Sequence, residues 1–138
     1  MDDGRNRVVV VDAANVVGSR PNGWWRDRVG AARRLLTRLA ALQERLSDID
    51  VVVVLEGAAC RAVSGEGAPD TGRVRVVLAS GSGDDTIVSV TAEVAGQSRH
   101  PAVTVVTADR ELRQRVEATG ATTTGPSWLL DQLDALPD

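Results

Sequence analysis

The stretch Val8–Asn15 reads VVVVDAAN, and the rest of the chain can be interpreted from it. Four consecutive valines favour an extended strand, because a β-branched side chain is stiff at χ1 and packs well on a pleated surface. An apolar run without polar alternation is typical of a strand that is covered on both faces, as in a parallel sheet. Asp12 then lies at the carboxyl end of the strand, the edge at which open α/β sheets bind their ligands.

The pattern of a strand followed by a helix recurs along the chain. Apolar runs predict strands, and apolar residues at helical spacing predict helices between them. The predicted strands are 7–12, 51–55, 74–78, 103–106 and 121–124; the predicted helices are about 26–47, 84–97, 110–119 and one after 125, with Asn15 and 18–23 in a loop. This alternation predicts a three-layer α/β/α fold, in which helices cover both faces of a parallel sheet of about five strands. The length of 138 residues predicts a single domain over 1–138.

The composition excludes several classes of function. The chain has no lysine, which excludes Schiff-base chemistry and a Walker-type phosphate lysine. Its net charge of −3 argues against a strongly basic surface for nucleic acid. The single cysteine, Cys60, cannot form an internal disulfide, and no secretory N-terminus or membrane-spanning stretch is apparent. We therefore expect a cytoplasmic protein without membrane contact.

Acidic residues follow four of the predicted strands, at Asp12, Glu56, Asp84, Asp85 and Asp109. Parallel strands bring their carboxyl ends to one edge of the sheet, so we expect these carboxylates to lie together. Carboxylates held close together raise one another's pKa unless a cation compensates their charge, and Mg²⁺ or Mn²⁺ prefers oxygen ligands. The pattern predicts a divalent metal site suited to the cleavage of a phosphate ester. Each acid alone could equally be a helix cap or a loop charge; their recurrence favours the shared site.

Three motifs in the same order resemble those of a known family. They are Asp12-x-x-Asn15 after a hydrophobic strand, the pair Asp84–Asp85 at a helix start, and Thr107–Arg110 (TADR) after a strand. Together, from Arg7 to about Leu133, they resemble the NYN domains of the PIN-like nuclease superfamily, with the YacP-type bacterial branch as the nearest resemblance. The resemblance implies a PIN-like sheet and an Mg²⁺- or Mn²⁺-dependent endoribonuclease whose products carry a 5′-phosphate and a 3′-hydroxyl.

The resemblance also implies roles for individual side chains. Catalytic and metal-binding roles are implied for Asp12, Asp84, Asp85 and Asp109. Positioning roles are implied for Asn15, through its amide, and for Thr107, through its hydroxyl. Glu56 is a further candidate metal ligand, at a strand end where the family's residue varies.

Arginine and tryptophan residues near the acidic edge are candidates for substrate binding. The candidates are Arg20, Trp24, Arg26, Arg28 and Arg110. The arginines could contact RNA phosphates, and an indole could stack on a base. The alternatives are the solvated face of a helix for the arginines and a hydrophobic clamp at the helix start for the tryptophans.

Other conspicuous residues favour structural interpretations. Trp128 is predicted to pack in the core, and His100, beside a proline, is predicted to be structural. Cys60 lacks a nearby histidine and is not expected to act as a nucleophile. Gly81-Ser82-Gly83 resembles part of a dinucleotide fingerprint, but two aspartates would then face the pyrophosphate.

Three functional hypotheses follow from the sequence. The first is a metal-dependent endoribonuclease with RNA as its partner. The second is a metal-dependent phosphatase or nucleotide pyrophosphohydrolase on the same acids, which the low basicity favours. The third is a non-catalytic module that binds RNA or the ribosome. Association with the ribosome, a homodimer and the number of metal ions are left open.

Overall fold

A computed structural model describes residues 7–97 and 101–137. In chain order its elements are β1 (Arg7–Asp12), α1 (Ala13–Gly18), a 3₁₀ helix at Trp24–Arg26, α2 (Arg28–Arg45), β2 (Ile49–Leu55), a second 3₁₀ helix at Gly57–Val63, β3 (Arg75–Leu78), α3 (Gly83–Ala95), β4 (Ala102–Val106), α4 (Arg110–Glu117), β5 (Thr122–Thr124) and α5 (Pro126–Asp134). His100 lies outside the described residues.

The five strands form one parallel sheet in the order β3-β2-β1-β4-β5. The valine run is the central strand, where Val10 lies opposite Val52 of β2 and Val105 of β4. The chain moves outward from β1 to β3 and then returns to build the other half from β4. Strand order therefore reverses between β1 and β4, and a crevice outside the carboxyl ends at such a point is the usual ligand site of an open α/β sheet.

Alternate residues of β1 face two separate hydrophobic layers. Val9 and Val11 pack with side chains of α1, α2 and α5. Val8 and Val10 pack with side chains of α3 and α4. Because both faces are covered, the strand has no polar alternation. The predicted three-layer α/β/α fold with a five-stranded parallel sheet is confirmed.

The chain after β1 differs from the prediction of a loop. Asn15 lies in the short helix α1, which begins directly after the strand because the Asp12 side chain accepts a hydrogen bond from the Asn15 backbone N–H. The long helix begins at Arg28 rather than at 26, because Asp27 caps it through the Gly30 N–H at 2.8 Å. Six-residue α1 is too short to show a periodic apolar pattern in the sequence.

Trp128 is not a core residue, contrary to the sequence prediction. It is 39% exposed and borders a groove at the amino ends of β1 and β2. Its neighbour Leu129, at 1% exposure, fills the core position of α5 instead. Adjacent residues of a helix point about 100° apart, so only one of them can face the sheet. Among the helices of the described ranges, none is both long and apolar enough to cross a bilayer.

Buried Gln43 joins the end of α2 to the start of β2. Its side-chain amide donates to the carbonyl oxygens of Leu46 and Ile49, and its oxygen accepts from the Val51 N–H at 2.7 Å. Three backbone groups of the connection are thereby paired without water. The contact holds the connection through which α2 leads into β2, the strand that Glu56 follows.

We predict that Gln43→Leu lowers the free energy of unfolding by about 3 kcal/mol, because each buried polar group left unpaired costs about 1–3 kcal/mol. Urea unfolding followed by circular dichroism measures the change. Gln114→Leu, at an exposed position of α4, is the matched control and should change stability by less than about 0.5 kcal/mol. Equal losses in the two variants would contradict the structural role of Gln43.

Candidate active site

Asp12 is the central side chain of the acidic edge. It is 7% exposed, and its two oxygens accept hydrogen bonds from the Asn15 N–H at 3.3 Å and the Thr107 hydroxyl at 2.9 Å. The pKa of Asp12 is raised from 3.8 to about 6, chiefly by burial. The two hydrogen bonds act against this rise, and the charges of Asp84 and Glu56 add to it. At neutral pH this carboxylate is therefore ionised in surroundings that oppose its charge.

Asn15 and Thr107 connect the loop after β4 to the start of α1. The side-chain oxygen of Asn15 accepts a hydrogen bond from the Ala108 N–H at 2.8 Å. The Thr107 hydroxyl oxygen accepts from the Asp109 N–H at 3.2 Å while donating to Asp12. These bonds cross the switch point between β1 and β4. Both residues therefore lie beside Asp12, and their positioning roles stay a prediction.

Glu56 and Asp84 belong to the same electrostatic group as Asp12. Glu56 follows β2, and its carboxylate accepts from the Gly83 N–H at 2.9 Å. A Cβ at position 83 would lie 2.6 Å from that carboxylate oxygen, so only glycine allows this approach. The pKa of Asp84 is raised, first by burial and then by the charges of Asp109 and Glu56. Glu111 also raises it, while Arg115 lowers it.

The carboxylates of Asp109 and Asp85 have different partners. Asp109 caps α4 through the Leu112 N–H at 3.0 Å, and its charge still acts on Asp84. Asp85 is exposed and forms an ion pair with Arg115 at 2.9 Å. Asp84 interacts with the charges of Asp109 and Glu56, whereas Asp85 contacts Arg115. The structure thus brings Asp84 and not Asp85 to the acidic group, and the metal-binding and catalytic role of Asp85 stays a prediction.

The substrate-binding candidates separate into different places. Trp24 and Arg28 line a groove together with Glu56, and the Arg28 guanidinium lies 5.4 Å from the centre of the Trp24 ring. Arg26 stacks instead on the exposed ring of Trp25, at 5.9 Å. Arg20 instead pairs with Asp134 of α5 at 2.6 Å. Arg110 is exposed at the start of α4, next to Asp109.

The acidic group offers a divalent metal only part of a closed set of ligands. In residues 7–97 and 101–137, no three Asp, Glu, His or Cys side chains are arranged to hold a metal ion together. The predicted five-acid set is therefore not assembled as a cage. Mg²⁺ is nevertheless commonly held by one or two carboxylates and several waters, and a cation relieves the repulsion that raises the pKa of Asp12 and Asp84. These two residues fit that mode of binding.

Sequence reasoning missed several residues that support the site. Arg113 donates to the Thr107 carbonyl oxygen at 2.8 Å, and Arg115 neutralises Asp85. The Gly83 N–H donates to the Glu56 carboxylate, and the charge of Glu111 raises the pKa of Asp84. Glu111, in the first turn of α4, is the one with a signal in the sequence, because it follows Asp109 by two residues at a predicted helix start.

The fold and the acidic edge define an α/β domain of the PIN-like type, with its site at the switch point of a parallel sheet. The family model of the YacP-like NYN domain matches residues 9–138, and the chain belongs to that family. The resemblance drawn from the three sequence motifs is thereby confirmed. Family membership supports a nuclease-type, RNA-related function for the chain.

Two solved structures share this fold. The crystal structure of Rae1 (YacP) from Bacillus subtilis has a TM-score of 0.72 and 21% identity, over 97% of this chain and 74% of that chain. A tryptophan-to-leucine mutant of Rae1 has a TM-score of 0.72 and 19% identity, over 93% and 75% of the two chains. No curated protein matches the sequence significantly.

We predict that Asp12→Asn raises the free energy of unfolding at pH 8 in EDTA by about 2 kcal/mol. The native pKa of about 6 lies above the ordinary value of 3.8, so ionised Asp12 destabilises the native state above pH 6. A shift of this size corresponds to roughly 3 kcal/mol, with the effect of the Thr107 hydrogen bond already included. The Asn side chain has one acceptor oxygen for the two donors that contact Asp12, which takes back about 1 kcal/mol. The gain should shrink towards zero as the pH falls from about 6 to about 4.

Urea unfolding at pH 8 and at pH 4.5 measures this difference. Asp48→Asn, in the exposed turn before β2, is the matched control and should alter stability by less than about 0.5 kcal/mol. A variant no more stable than wild type at pH 8, or a gain that persists at pH 4.5, would be incompatible with the burial argument.

Proposed function

We propose that this chain is a divalent-metal-dependent endoribonuclease whose site is the acidic edge of the sheet. The observation that carries the proposal is the carboxylate of Asp12, buried at the switch point with its pKa raised by burial and by the charges of Asp84 and Glu56. A fold gains no stability from gathering like charges in this way, and such groups occur mainly at functional sites. The RNA substrate follows from the family and from the arginines near the edge.

The cofactor we propose is Mg²⁺ or Mn²⁺, held by Asp12 and Asp84 together with waters. When bound, such a cation polarises a phosphoryl oxygen and lowers the pKa of water. Asn15 and Thr107 keep Asp12 in one orientation, so that its oxygens are not free to rotate away. Arg28 and Arg110 supply positive charge for the phosphates of the strand. We propose products with a 5′-phosphate and a 3′-hydroxyl.

The second candidate is a metal-dependent phosphatase or nucleotide pyrophosphohydrolase. The net charge of −3 favours a small phosphate ester over a long polyanion. The groove between Trp24 and Glu56, with a volume of about 330 Å³, also offers space for a small ligand beside the acids. A panel of nucleoside triphosphates and monophosphates, assayed for released phosphate and pyrophosphate, separates this candidate from the first.

We predict that the protein cleaves labelled single-stranded and structured RNA in Mn²⁺ or Mg²⁺, and that EDTA abolishes the cleavage. Asp12→Asn and Asp84→Asn should each lower the cleavage rate by at least about a hundredfold, since they remove charge that holds the cation. Gel analysis of end-labelled products measures the rate.

Asp85→Asn is the control for this experiment. It changes the same chemical group at the neighbouring position, but the Asp85 carboxylate is exposed and paired with Arg115. Its rate should stay within about threefold of wild type. Cleavage that survives both Asp12→Asn and Asp84→Asn would contradict the proposal. An equal loss in Asp84→Asn and Asp85→Asn would contradict the distinction between these two residues and would place Asp85 at the site as well.

We also predict that Mn²⁺ stabilises the native protein. A ligand at a hundred times its Kd adds about 2.7 kcal/mol, which for a domain of this size corresponds to a rise in Tm of roughly 10 °C. Differential scanning calorimetry over a Mn²⁺ titration at pH 7.5 measures the rise. It should be lost in Asp12→Asn and Asp84→Asn and retained in Asp85→Asn. An unchanged Tm in wild type at millimolar Mn²⁺ would contradict metal binding at this edge.

A further inference from the structure

A pocket of about 330 Å³ opens beside the acidic edge. It lies between α1, the 3₁₀ helix at Trp24–Arg26, the first turns of α2 and the segment that follows β2. Most of its lining consists of alanine and glycine, which leave the space open. Three larger functional side chains complete it, namely Trp24, Arg28 and Glu56. Since Glu56 also belongs to the acidic group, the pocket and the acidic edge are continuous.

The Trp24 ring is held in place from several sides. A Cβ at Gly18 would lie 3.4 Å from the indole, so the ring packs closely against the end of α1. The Trp25 ring meets it edge-on, with centroids 6.3 Å apart, and the Arg28 guanidinium lies 5.4 Å from its centre. A ring fixed in this way presents a rigid aromatic wall to the pocket. Stacking on such a wall is the usual way in which proteins hold single-stranded bases.

Glu56 and Arg28 form the other two walls of the pocket, and their charges determine which ligand fits. The Glu56 carboxylate only accepts hydrogen bonds when ionised, and its contact with the Gly83 N–H at 2.9 Å fixes its position. A planar group that offers N–H donors therefore fits beside it. Guanine offers two adjacent donors, at N1 and N2, on one edge, whereas the other three bases place an acceptor beside their donor. Arg28 adds a positive charge suited to a phosphate attached to that base.

We propose that this pocket receives one unpaired nucleobase of the RNA strand, with a preference for guanine, and thereby places a neighbouring phosphodiester at Asp12 and Asp84. The inference rests on the proposed function for the identity of the strand. It adds one requirement: the RNA must be single-stranded next to the cleaved bond, with a base seated between Trp24 and Glu56.

Nuclear magnetic resonance tests the pocket without any cleavage. The chain has three tryptophans, so a ¹⁵N-labelled sample shows three indole N–H signals, which single Trp→Phe variants assign. GMP, AMP, CMP and UMP are titrated in EDTA, with ribose 5-phosphate as the probe that lacks a base. We expect the Trp24 indole and the amides of Gly57 and Gly81 to shift with nucleotides, most strongly with GMP. The indole of Trp128, which lies outside the pocket, should stay in place.

A pair of matched variants shows whether the shifts come from the pocket. Ala14 lines the pocket from an exposed position of α1, and Ala14→Leu fills part of the space. Ala41 is exposed on α2 outside the pocket, and Ala41→Leu adds the same side chain there. We expect Ala14→Leu to weaken GMP binding by about tenfold or more, the loss expected for one stacked base. Ala41→Leu should bind GMP as wild type does.

Four results would overturn the proposal. They are the absence of any Trp24 shift at millimolar nucleotide, equal shifts with ribose 5-phosphate, equal GMP binding by Ala14→Leu and Ala41→Leu, and a response to GMP no larger than that to the other bases. The titration contains no metal and measures no cleavage, so its failure is separate from that of the proposed function. A protein that cleaves RNA without these shifts lacks the base pocket. One that shows them without cleaving RNA keeps the pocket and loses the proposed nuclease activity.

Discussion

The hydrogen bond between the Thr107 hydroxyl and the Asp12 carboxylate is the contact on which the rest of the site depends. It joins two residues 95 positions apart, at the ends of neighbouring strands β1 and β4. It is also the contact that lowers the pKa of Asp12 most strongly, against a burial effect that raises it. Beside it, the Asn15 side-chain oxygen accepts a hydrogen bond from the Ala108 N–H, which joins the segments that follow the same two strands. Side chains from both halves of the chain therefore form hydrogen bonds across the switch point of the sheet.

The acids of this edge serve as helix caps and as members of a charged group at the same time. Asp12 caps α1, Asp109 caps α4, and Glu56 accepts the N–H of the first residue of α3. A helix N-terminus stabilises a nearby negative charge, so three such termini make a crowded set of carboxylates tolerable. Each of these bonds uses one lone pair of one oxygen. The remaining lone pairs are what a cation could use, which is why capping and metal binding are compatible explanations of the same residues.

The arginines of this chain provide less positive charge for a substrate than their number suggests, because several of them bind other groups of the fold. Arg20 is held by Asp134, Arg115 by Asp85, and Arg33 by the carbonyl oxygens of Ala62 and Ser64. Several arginines of this chain therefore join elements of the fold rather than form a broad basic surface. A substrate bound here would depend on a few local contacts and on a cation, rather than on a general attraction for polyanions.

The sequence by itself determined the strands, the long helices and the edge at which the acids end. Those features follow from local periodicity, since a residue's place on a strand or helix is set by its immediate neighbours. The motifs around Asp12, Asp84 and Asp109 were sufficient to recognise the family. What only the tertiary structure decided is which of these residues meet. That Asp84 faces the acids while Asp85 meets Arg115, that Arg20 pairs with Asp134, and that Trp128 is exposed all depend on strand order and helix rotation. These contacts join residues that are dozens of positions apart, and no local pattern specifies them.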